Sequence, residues 1–172
     1  MSTLELKELS HPAGEVIKIA AGKTLDLKSQ GTTTLPTGSV LQVVHGTTST
    51  EVTIATTTYT DTGLSATITP KSTTSKILVV WNVQVNLGVS SSGIGVKLLR
   101  DSTAVYTSAT QYDMYINSFG GQRVRGSWSH LDSPTTTSAI TYKIQAGSYV
   151  SGTNSINQAS NKSDMIIMEI QG

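Results

Sequence analysis

Lys76-Ile77-Leu78-Val79-Val80-Trp81-Asn82-Val83-Gln84-Val85-Asn86-Leu87 decides the fold of this chain. From Trp81 onward apolar and polar residues alternate strictly. Trp81, Val83, Val85 and Leu87 fall on one side, and Asn82, Gln84 and Asn86 fall on the other. Successive side chains of a strand point to opposite faces, so this stretch reads as a β-strand with one buried and one wet face.

The residues on either side carry the same texture. Ser39–Val44, Glu51–Ala55 and Leu64–Thr69 precede the long strand, the last of them stopped by Pro70. After it, Ser90-Ser91-Ser92-Gly93 turns the chain into Ile94–Arg100, and Asp101-Ser102 turns it again into Ala104–Thr107, a hairpin. Gln122–Leu131, Ala139–Gln145 and Asp164–Ile170 complete about eight to ten short strands, with no room for crossover helices. That spacing predicts an all-β antiparallel sandwich or jelly roll, with the C-terminal strand lying centrally. Composition agrees: Thr and Ser supply 27 and 23 of the 172 residues, and β-branched Thr suits a half-buried sheet surface. Aromatic residues are only 5%, so extra burial through oligomerisation is expected.

Before residue 37 the chain differs. Glu5, Lys7, Glu8, Glu15, Lys18, Lys23, Asp26 and Lys28 place a large share of the charge there, ahead of the join Gly31-Thr32-Thr33-Thr34-Leu35-Pro36-Thr37-Gly38. Residues 1–10 read as a weak helix broken by His11-Pro12. Two five-residue strands follow, Glu15–Ile19 with Ile17 and Ile19, and Thr24–Lys28 with Leu25 and Leu27. Strands this short cannot bury their apolar faces alone. The predicted organisation is a short, extended N-terminal attachment arm, 1–36, and a jelly-roll body, 37–172.

Several chemistries are excluded or weak. The chain has no cysteine, which removes disulfides, thiolate catalysis and Cys-ligated zinc. Net charge is +1 with no long basic run, so nucleic acid is not an expected partner. The apolar runs are too short to cross a bilayer, and Met1–Leu9 has no signal-peptide core, so a protein made in the cytoplasm is expected. Ala21-Gly22-Lys23-Thr24 ends like a phosphate-binding loop, but Ile17 stands where that motif needs its first glycine. His11, His45 and His130 lack metal-ligand spacing within one chain; only a trimer axis would gather three copies of one of them. Ser127, Ser129, His130 and Asp132 have the residue types of a hydrolytic triad, yet neighbours on one strand face opposite ways. No motif calls for a cofactor, and no catalytic residue is assigned.

Tyr112-Asp113-Met114-Tyr115-Ile116-Asn117-Ser118-Phe119 is the densest aromatic stretch. Tyr112, Tyr115 and Phe119 read either as a glycan or receptor contact or as a subunit interface. The interface reading is preferred because Tyr, Phe and Met are enriched there. Trp81 and Trp128 are read as core.

Leu35–Val44, Thr60–Pro70 and Ser75–Val79, with Ile17-Lys18-Ile19 and Gly22–Leu27 in the arm, resemble segments of tailed-phage virion surface proteins of the head-decoration, head-fibre or short tail-fibre type. The resemblance implies a homotrimer with a tumour-necrosis-factor-like jelly-roll knob. An N-terminal arm would hold it on the major capsid or a tail protein at the virion surface. A long fibre shaft is missing, which favours a compact decoration. The alternative is a short tail-fibre adhesin that binds a receptor or a host surface glycan.

Overall fold

The alternation over Lys76–Leu87 becomes a single twelve-residue strand whose inward side, Ile77, Val79, Trp81, Val83, Val85 and Leu87, is completely buried. The structure is a computed structural model that describes residues 21–23, 35–109, 111–118 and 120–172. The helix expected over 1–10, the arm strands with Ile17, Ile19, Leu25 and Leu27, and Phe119 lie outside the described residues. Ala21-Gly22 is a turn as expected, with Gly22 in the left-handed region at φ 76°.

Pro36–Gly172 forms a unit of its own. Its strands are β1 (Val40–Thr48), β2 (Val52–Ile54), β3 (Thr60–Ile68), β4 (Lys76–Leu87), β5 (Ser92–Arg100) and β6 (Thr103–Thr107). They continue with β7 (Met114–Ile116), β8 (Gln122–Asp132), β9 (Ile140–Ser148), β10 (Asn154–Ile156) and β11 (Ser163–Ile170). A single 3-10 turn, Gln158–Ser160, separates the last two. All pairings are antiparallel.

One sheet runs β1-β11-β4-β10-β2, with β8 on the free side of β4; the other runs β3-β9-β5-β6, with β7 also on β5. Both β11 and β10 pair with β4, at Lys76–Asn82 and at Val85–Asn86, so they lie end to end along one side of it. β1 and β2 continue that arrangement on the outer edge, and β6 and β7 divide β5 in the same way. Counting each end-to-end pair as one strand leaves four strands per sheet. Most connections then pass from one sheet to the other, as in a jelly roll. The closing strand β11 sits between β1 and β4, where the sequence placed it.

The core fills the space between the sheets. Trp81, Val83, Met165 and Ile167 come from the first sheet; Leu64, Ile94, Leu98, Tyr142 and Ile144 come from the second. Where β1 and β3 approach each other, a Cβ on Gly46 would stand 2.3 Å from the Ser65 carbonyl oxygen, so only glycine fits.

The wet face expected for β4 needs correction. Gln84 and Asn86 point outward but are only 5% and 6% exposed. Arg123 of β8 donates from Nε to Gln158 Oε1 at 2.9 Å, a bridge that crosses β4 from one flank to the other. Arg125 likewise donates from Nη1 to the side-chain oxygen Oδ1 of Asn82.

Candidate functional site

The triad residue types on β8 do not assemble. Ser127 and Ser129 point outward while His130 points inward, toward the Tyr106 ring at 6.4 Å. Asp132 is committed elsewhere. Arg100 Nη1 donates to both of its oxygens, at 3.0 and 2.8 Å, and the Tyr142 hydroxyl donates to Oδ2 at 2.6 Å. Burial, and then that bond to Asp132, pushes the Tyr142 hydroxyl far above its ordinary value, so it remains a proton donor. Among the described residues no three His, Asp or Glu side chains stand close enough to hold a metal ion. None of the described helices is long and apolar enough to cross a membrane.

Two surface features remain. The first is aromatic. Tyr112 and Tyr115, paired in the sequence reading, do come together, with ring centroids 4.9 Å apart. Tyr149, which that reading missed, joins them at 4.2 Å from Tyr112 and 5.9 Å from Tyr115. Gly93 brings the three together. It pairs with Tyr115 across β5 and β7, and its carbonyl accepts the Tyr149 N–H at 2.9 Å. A Cβ there would meet the Gln111 carbonyl oxygen at 2.6 Å. All three tyrosines are exposed, and hydrogen bonding to Tyr149 pushes the Tyr112 hydroxyl up to about 12. Nothing local in the sequence around Tyr149 marks it, because the contact depends on the non-local β5–β9 pairing.

The second feature is apolar and lies on the outer face of the first sheet. Register aligns Val43, Met168, Leu78 and Leu131 in one row across β1, β11, β4 and β8. The next row is His45, Ile166, Val80 and Ser129. Val40, Val43, Leu131 and Ile166 are 49%, 59%, 57% and 40% exposed. A jelly roll needs one apolar face per sheet, yet this end of the sheet has two. The signal was present in the sequence: Ile77–Trp81 and Met165–Met168 are apolar at every position, the pattern of strands covered on both sides.

Gln145 and Lys143 hold the Asp61 carboxyl below its ordinary value on the second sheet. His45, at the end of the second row, faces Asp164 at 3.3 Å. The row Val43, Met168, Leu78 and Leu131 contains no ionisable side chain.

No protein-family model matches the chain, and no curated protein matches it. Solved structures similar to it include an infectious bursal disease virus particle, at 14% identity over 87% of this chain and 40% of that one, with a TM-score of 0.47. Another is a mutant VP2 protein of the same virus in T=1 particles, at 13% identity over 86% and 40%, with a TM-score of 0.48. A third is the Gx strain of that virus, at 12% identity over 87% and 42%, with a TM-score of 0.47. The chain thus spans about two-fifths of the chains it matches.

Proposed function

We propose that this chain is a non-enzymatic structural protein of a virion surface, of the tailed-phage type that its sequence resembles. Residues 1–36 dock it on the major capsid or a tail protein. The body projects as a trimeric knob that decorates or stabilises the particle. The observation that carries this reading is the apolar row Val43–Met168–Leu78–Leu131 on the outside of a sandwich whose core is already filled. A contiguous apolar row on the outside of a sheet, exposed at Val43 and Leu131, fits a contact with another molecule. Its occupant here is a neighbouring copy of the same chain, which supplies the burial that an aromatic-poor core lacks. Removing residues 1–36 leaves a folded body that no longer joins particles; unimpaired incorporation of the truncated chain overturns the reading. Immunogold labelling of intact particles distinguishes head from tail.

The exposed cluster Tyr112, Tyr115 and Tyr149 favours a second reading, a short tail-fibre adhesin that stacks its rings on a receptor or host glycan. Binding on a glycan array that disappears in Tyr115→Ala supports it.

A further inference from the structure

Beyond the apolar rows the same sheet face changes character. Thr53, Ser155, Asn86 and Arg123 align in one row across β2, β10, β4 and β8. They floor an open groove of about 420 Å³, with Glu51 and Gln158 also lining it. That volume falls within the range of small-molecule sites, roughly 300–1,000 Å³. Ser155 is 5% exposed, and its Oγ has no hydrogen-bond partner among the described residues. A buried hydroxyl is ordinarily satisfied, and a polar ligand in the groove relieves the penalty of leaving this one bare. The Arg123–Gln158 hydrogen bond fixes the guanidinium at the groove.

The lining selects a chemical class. It includes no aromatic or aliphatic side chain, so neither a stacked base nor an apolar ligand fits. Phosphate and sulfate require donors alone, and Glu51 repels them. One carboxylate, one guanidinium and a floor of amides and hydroxyls instead match a ligand whose groups both donate and accept. Adjacent hydroxyls on a pyranose ring have that property. We infer that this groove binds a neutral saccharide unit. The site is separate from the three tyrosines and does not depend on where the protein sits on a particle.

The test uses the full, isotope-labelled chain, titrated in separate arms with glucose, galactose, N-acetylglucosamine and inorganic phosphate while amide NMR signals are followed. At least one sugar is expected to shift the Asn86 side-chain amide and the Gly88 and Gly121 backbone amides saturably, with phosphate inert. Ser155→Ala and Arg123→Ala each weaken that binding about tenfold, the loss of one hydrogen bond. Tyr115→Ala leaves it unchanged. Arg123 is exposed, so its variant folds even if a buried one does not. Three results overturn the assignment: no saturable shift with any sugar, shifts with phosphate alone, or sugar shifts confined to the tyrosines.

Discussion

The indole rings of Trp81 and Trp128 stack across β4 and β8, with centroids 6.1 Å apart and planes 12° from parallel. The two are direct register partners, and Tyr106 meets Trp81 edge-on at 5.7 Å. Trp81 is fully buried, whereas Trp128 sits half-buried on an edge strand and closes the flank of the core. Gly126 makes the stack possible, since a Cβ there would stand 2.2 Å from Cη2 of Trp128.

Trp81→Ala is therefore expected to cost about 3–5 kcal/mol in denaturant unfolding, and Trp128→Ala distinctly less. Gly126→Ala displaces the outer ring and abolishes the coupled indole signal in near-ultraviolet circular dichroism. An unchanged spectrum in Gly126→Ala contradicts the stack.

Arg100, Asp132 and Tyr142 bind the end of β8 to the second sheet through one carboxylate. Asp132→Ala strands a guanidinium and a buried hydroxyl, and urea titration should show a loss of about 3 kcal/mol. The double variant Arg100→Met with Asp132→Leu recovers much of that loss, because paired removal leaves no buried charge. Equal damage in the single and double variants refutes the pairing.

Glu169 is fully buried on the inward side of β11. It accepts hydrogen bonds from the Ser75 hydroxyl and the Lys71 backbone N–H, both at 2.7 Å, and from the Gln42 amide. Burial alone would raise its carboxyl, but these donors hold it below the ordinary glutamate value of 4.5. With the folded value depressed, its stabilisation is present above 4.5 and fades as pH falls below that, through the folded value. Thermal unfolding against pH should show this acid limb in the native chain and a flatter one in Glu169→Gln. An identical slope in the two removes Glu169 from the account.

Leu131→Lys and Val43→Lys place charge in the exposed apolar row without touching the core. Each is expected to change folding stability by no more than about 0.5 kcal/mol, as surface substitutions do. Under the proposed assembly, light scattering should nevertheless show a trimer for the native chain and a monomer for each variant. A native chain that is itself a stable monomer disproves the assembly.

The long strand was legible because Trp81–Leu87 alternates without exception, and the central β11 was legible because Asp164–Ile170 is the last strand of a jelly-roll pattern, where the final strand lies centrally. β10 was not. Asn154-Ser155-Ile156 is three residues inside a stretch of Gly, Ser and Asn, and only pairing with β4 and β2 makes it a strand. Burial of Glu169 was equally hidden, since its partners Gln42, Lys71 and Ser75 lie about a hundred residues away. The tyrosine cluster was half visible: Tyr112 and Tyr115 are neighbours in sequence, while Tyr149 arrives through Gly93.

Along β4 the outward residues pass from Leu78 and Val80 to Gln84 and Asn86. Six residues of strand separate the centres of those two regions by about 20 Å. An apolar stretch and a polar one, the latter bridged over by Arg123 and Gln158, thus share a rigid ruler. Under the proposed assembly and saccharide groove, substitutions around the polar stretch alter what the molecule binds without disturbing how its copies adhere. On that proposal, one small sandwich changes its ligand while keeping its neighbours.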